Sequence, residues 1–146
     1  MEYDVVQLGL PADNKYLAVV SVCIAAMLEH LPEIKEPDIV IYNIQLAVHE
    51  VCANVIEHAY RGNPDDRYDV TLTLAESPLR LEIELNDQGQ SFVLPPNFTP
   101  DLDRLPTRGY GLFLIHQLMD QVTYTPKPGH NQWRLVKYLI PESEPV

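Results

Sequence analysis

Apolar and polar positions alternate along this chain in two rhythms, one of strand period and one of helix period. "YDVVQLGL" (3–10) reads as a short strand ended by Pro11. Leu17, Val20, Ile24, Met27, Leu28 and Leu31 then recur at near-helical spacing, with Asp13 or Asn14 placed to cap the helix they form. Pro32 and Pro37 bracket a connection. A second helix is expected from about Asp38, as N-cap, to Tyr60, with Gly62 at C′. Its Ile41, Ile44, Val48, Val51 and Val55 form one apolar stripe. Period-2 alternation follows. In "DVTLTLAE", Val70, Leu72 and Leu74 face one way; in "LRLEIELND", Leu79, Leu81, Ile83 and Leu85 face the core while Arg80, Glu82 and Glu84 face out. Ser77–Pro78 between them makes a tight hairpin turn. Residues 89–108 read as a long loop with four prolines. A third helix is expected from about Gly111 to Asp120, then strands near 121–126 and 133–140 split by "PKPGHN". The end, 141–146, reads as a disordered tail. The order β-α-α-β-β-loop-α-β-β predicts one domain over residues 1–146. It would be an α/β (α+β) two-layer sandwich, with helices on one face of a mixed, mostly antiparallel sheet.

Composition narrows the function. With 146 residues and 46% hydrophobic content, the chain can bury a core without staples. Its net charge of −11, from 10 basic and 21 acidic residues, comes with no cluster of Lys or Arg. Binding to nucleic acid or to an anionic membrane surface is therefore not expected. Cys23 and Cys52 fall in helical patterns without C-x-x-C spacing and read as small core residues. The N-terminus has no basic segment followed by an apolar run, and no stretch is expected to reach membrane-spanning length, so a cytoplasmic location is expected.

Three stretches carry candidate chemistry. In "LAVHEVCANVIEHAYRG" (46–62), Glu50, Asn54, Glu57 and His58 form a second stripe about 100° to one side of the apolar one. A solvated flank explains such a stripe, and so does a site at the rim where helix meets sheet. Asp87 continues the inward phase of 79, 81, 83 and 85, where a carboxylate needs hydrogen-bond donors. It can close an Asp-x-Gly turn, or it can accept an exocyclic amino group such as that of adenine. In "TRGYGLF" (107–113), two glycines precede a helix whose N-terminus can cradle phosphate; an ordinary helix start reads the same way. Rival motifs fail. "HEVCA" has Ala53 where a zinc protease needs its second histidine.

Taken in order, "HEVCANVIEHAY", "NDQGQSF" and "GYGLFLIHQLMD" resemble the GHKL, or histidine-kinase-like, ATPase superfamily, and within it the anti-sigma-factor serine/threonine kinases. The resemblance runs from the first helix to the last strand and implies the histidine-kinase-like ATPase fold. It implies ATP and Mg2+ as ligands, with Asn54 on the metal and Glu50 as general base. Asp87 would take the adenine amino group, Gly89 would let the chain pass the ring, and Arg108, Gly109 and Gly111 would lie over the phosphates. His58 matches a histidine common at this helix end, and the 89–108 segment would be a lid. The implied activity is transfer of the γ-phosphoryl group of Mg-ATP to a serine of a partner antagonist protein. A sigma factor is a further implied partner and a homodimer is permitted. The alternative is a nucleotide-binding switch that acts by contact alone. Two positions depart from the family pattern: Ser91 stands in place of a glycine, and the usual late threonine is absent, with Asn131 and Gln132 offered there instead.

Overall fold

A computed structural model describes residues 4–61, 63, 65–91 and 110–140. The first strand, β1 (Asp4–Pro11), is followed by a 3-10 turn (Asn14–Tyr16) capped by Asp13, whose carboxylate accepts from the Lys15 N–H. Two helices come next, α1 (Leu17–Leu28) and α2 (Pro37–Asn54), and α2 continues into a π-helical turn (Val55–Ala59). A hairpin of β2 (Arg67–Ala75) and β3 (Arg80–Asp87) follows. Helix α3 (Tyr110–Leu118) precedes the last hairpin, β4 (Gln121–Lys127) and β5 (His130–Tyr138).

The five strands form one sheet in the order β1-β2-β3-β5-β4, and every pairing is antiparallel, so the expected mixed sheet is antiparallel throughout. β5 crosses past β4 to lie beside β3, which sets Asp87 directly opposite Asn131. The edges carry Pro11 and Pro126, where a missing N–H is tolerated. The helices bury the inward phase: Val70, Leu72, Leu81, Ile83, Leu85, Trp133 and Leu135 pack under Val20, Ile24, Leu28 and the stripe of α2. All five stripe residues of α2 are buried, each worth about 2 kcal/mol in transfer terms, and this fixes the rotation of the helix. On the other face, Glu82 pairs with Arg80 and Arg134.

Several boundaries differ from expectation. α2 starts with Pro37 in its first turn, behind Glu36 at φ +51°, because proline's fixed φ is already helical. Asp38 sits inside the first turn rather than capping it. α3 ends at Leu118, since Asp120 instead accepts from the Tyr138 N–H and donates its own N–H to Val136. The last hairpin reverses in two residues, with Gly129 at φ +74°, so β5 begins at His130 and includes Asn131. The stretch Pro37–Glu57, 21 residues at a mean hydropathy of 1.5, is long and apolar enough to cross a membrane, contrary to expectation. Here it is the central core helix. Gly62 and the tail 141–146 lie outside the described residues.

Both cysteines are free thiols; Cys52 is a buried core residue as expected, whereas Cys23 is only partly buried. Burial pushes the Cys52 thiol up to about 12, and burial likewise raises the neighbouring Tyr68 hydroxyl. Neither group ionises near neutrality.

Candidate functional site: the end of β3 and the flank of α2

The apolar phase of β3 ends in a carboxylate. Asp87 follows Leu81, Ile83 and Leu85 into the interior and is 2% exposed. Its Oδ1 accepts two hydrogen bonds, from the Gly89 N–H at 2.9 Å and from Asn131 Nδ2 at 2.9 Å. Oδ2 is equally buried and has no hydrogen-bond partner among the described residues. Of the two sequence readings of Asp87, the Asp-x-Gly turn is present. One oxygen closes the Asp-x-Gly turn, and the other is a buried acceptor awaiting a donor, a state that costs about 1–3 kcal/mol when unmet.

The turn after Asp87 is docked onto the end of α2. The Gln90 N–H donates to the Ala59 carbonyl at 2.8 Å, and a Cβ on Gly89 would stand 2.4 Å from that same oxygen. The glycine is thus required by the approach of two backbones. Tyr60 adds a second clamp: its hydroxyl donates to the Arg67 carbonyl and accepts from the Gln88 N–H, both at 2.7 Å. Burial, chiefly, holds that hydroxyl above its usual range, and Asp87, Asp66 and Asp69 push it the same way, so it remains a donor. The docking falls at the end of the π-helical turn Val55–Ala59, and such turns recur at functional sites.

Glu50 and Asn54 lie half-buried on the flank of α2, one turn apart, while Glu57 is exposed. This flank faces α3. A Cβ on Gly111, in the first turn of α3, would lie 2.6 Å from Glu50 Oε2. The structure therefore brings Glu50 to Gly111 and brings Asp87 and Gly89 to the far end of the same helix. Arg108, Gly109 and the side chain of His58 lie outside the described residues, as does 92–108 of the expected lid.

Sequence reasoning did not anticipate Tyr60 or Ala59, and noted Asn131 only, beside Gln132, as one of two residues offered where a threonine is usual. Asn131 is fully buried, and its amide links Asp87, the Gly89 carbonyl and the Ser91 hydroxyl. The available signal was a polar residue opposite the alternation of a buried strand, legible only once β5 is known to pair with β3.

Beside this corner a cavity of about 470 Å3 is lined by Asp65, Asp66, Asp69, Asp87, Arg67 and His130 among others. Glu50, Asn54 and Gly111 do not line it.

The sequence profile of the histidine kinase-like ATPase domain matches residues 10–137. The chain belongs to that family. It is 27% identical over 134 residues to the serine-protein kinase RsbW of Bacillus pumilus, a match spanning 86% of this chain and 81% of that protein. It is likewise 27% identical to the RsbW of a Bacillus cereus strain over 128 residues, 82% of this chain and 76% of the relative. In fold it is similar to the structure of the RsbU and RsbW domains of Rv1364c from Mycobacterium tuberculosis, with a TM-score of 0.67 at 18% identity. That match covers 93% of this chain but only 32% of the larger one. A blue-light activated histidine kinase of Erythrobacter litoralis shares the fold at a TM-score of 0.55 and 18% identity, over 88% of this chain and 61% of that one.

Proposed function

We propose that this chain is an ATP-dependent protein serine/threonine kinase of the anti-sigma-factor type, acting on a serine of a partner antagonist protein. The observation that carries the reading is Asp87 Oδ2, a buried carboxylate oxygen left without a donor in a member of an ATPase family whose relatives are named serine-protein kinases. An exocyclic amino group supplies that donor. The four aspartates around the neighbouring cavity disfavour a polyphosphate, so a nucleotide held at Asp87 would extend its phosphates the other way, along α2 toward Gly111.

Each residue then has a task. Asp87 accepts from the adenine amino group. Asn54 offers a neutral oxygen to Mg2+. Among the described residues no group of three or more His, Cys, Asp or Glu could hold a metal, so the ion would come largely ligated by the phosphates. Arg108, Gly109 and Gly111 attend the phosphates, the last at the N-terminus of α3. ATP supplies the phosphoryl group. Glu50 takes the proton of the attacking serine hydroxyl as its oxygen bonds to the γ-phosphorus and ADP departs. A cytoplasmic location and a sigma factor as second partner belong to the same reading. So does a homodimer covering the apolar face on which Val19, Val22, Ile39 and Tyr42 are exposed.

Titration with ATP, with and without Mg2+, tests the site. Binding should depend on magnesium and weaken about a hundredfold in Asp87→Asn, which turns an acceptor into a donor. Glu50→Gln should bind ATP within about threefold of the parent and lose phosphotransfer to a candidate antagonist by about 10^2–10^4-fold. Transfer that survives in Glu50→Gln would overturn the base assignment. Loss-free binding in Asp87→Asn would overturn the site.

A further inference from the structure

Asn131 spends both of its amide hydrogens, and accepts one more bond on its oxygen, around the turn that carries Asp87. Its two amide hydrogens go to Asp87 Oδ1 and to the Gly89 carbonyl, each at 2.9 Å, and its oxygen accepts the Ser91 hydroxyl at 2.6 Å. The amide cannot be turned over, because its oxygen would then face two acceptors. The Ser91 hydroxyl anchors the amide oxygen from the other side and so restrains the side chain in that orientation. The two positions that depart from the family pattern therefore meet in one bond, 40 residues apart in the chain.

The consequence falls on Asp87. Asn131 and the Gly89 N–H occupy Oδ1 and hold the carboxylate plane, leaving Oδ2 as the single acceptor that faces a ligand. An oriented carboxylate oxygen favours a base with an amino group at the purine 6-position over one with an oxo group there. Were Asn131 absent, the side chain could rotate and would no longer hold Oδ2 in one direction. We infer that Asn131 and Ser91 form a positioning pair that makes the site selective for 6-amino purine nucleotides over 6-oxo ones. The inference rests on the reading of Asp87 as the adenine acceptor.

The test measures affinities of the full chain for Mg-ATP and Mg-ITP by calorimetry, in the parent, Asn131→Ala, Ser91→Ala, the double variant and Asp87→Asn, with folding checked by circular dichroism. The parent should prefer ATP by about a hundredfold or more, since a site built to bond one group rejects its analogue. Asn131→Ala should shrink that preference by about tenfold, and Ser91→Ala by about threefold. The double variant should match Asn131→Ala, because the serine acts through the asparagine. A merely structural role would weaken both nucleotides alike and leave the ratio unmoved. An unchanged ratio in folded Asn131→Ala, while Asp87→Asn loses ATP, overturns the pair and leaves the adenine reading standing. If the parent does not distinguish ATP from ITP, or Asp87→Asn binds ATP normally, the adenine reading falls and takes the pair with it. Should Asn131→Ala fail to fold, Ser91→Ala decides, because Ser91 is exposed and its loss leaves the core intact.

Discussion

Gly89 and Gly111 mark two corners of the candidate site, and both stand too close to a neighbour for a side chain, but the neighbours differ in kind. At Gly89 the obstacle is the Ala59 backbone, 2.4 Å from an added Cβ. At Gly111 it is Oε2 of Glu50, the far end of a flexible side chain, at 2.6 Å. The first corner is therefore built from main chain against main chain, braced by Tyr60 and Asn131. The second is built from a helix flank against a helix start. Base recognition needs a fixed acceptor, and the proposed one, Asp87, sits on the rigid corner. Proton transfer needs a carboxylate that can adjust to its substrate, and the proposed base lies at the compliant one.

That contrast can be broken by experiment. Gly89→Ala should cost about 2–3 kcal/mol in chemical denaturation, because neither backbone can yield without repacking. An unchanged midpoint would mean that the corner is not rigid. Next in size is an effect on the buried side of α2, where Cys52 lies beside Tyr68. The fold raises its pKa, so its contribution is whole below the ordinary thiol value and is lost as pH climbs toward about 12. Stability should fall with a slope of up to about 1.4 kcal/mol per pH unit above pH ~9. In Cys52→Ala the fall should begin only where the tyrosines titrate, about one unit higher.

Two smaller effects complete the series. Tyr60→Phe leaves the Gln88 N–H and the Arg67 carbonyl without their partner and should cost about 1 kcal/mol. It should also weaken ATP binding through the Asp87 turn, and calorimetry on the variant checks both. Gly111→Ala should change stability by less than about 0.5 kcal/mol, since Glu50 can swing aside and alanine favours the helix. Phosphotransfer should nonetheless drop, and a kinase assay beside a thermal melt separates the two. A large loss of stability in Gly111→Ala would erase the distinction between the corners.

Much of the fold was legible because it is periodic. The stripe of α2, the β2–β3 hairpin and the inward phase of Asp87 all follow from spacings of 3.6 and 2, which hydrophobic burial enforces residue by residue. Glu50 and Asn54 could be placed on a flank for the same reason. What they face was not legible, since nothing local says that α3 lies there. The N-cap of α2 was misplaced by two residues, at Asp38 rather than Glu36, because Pro37 and Asp38 both signal a helix start. The π-helical turn leaves no pattern in side-chain polarity at all. Asn131 was visible only as an oddity, because the expected last strand began three residues later than β5 does.

The sequence by itself determined the elements, the stripe each buries and the residue types available for chemistry, since these depend on short-range geometry and on transfer of side chains from water. Only the tertiary structure decided which of those residues meet. Inserting β5 between β3 and β4 put Asn131 opposite Asp87, and packing α3 on α2 put Gly111 against Glu50. Both contacts join residues more than 40 positions apart, and their pairing is set by how whole surfaces pack, which no local pattern encodes.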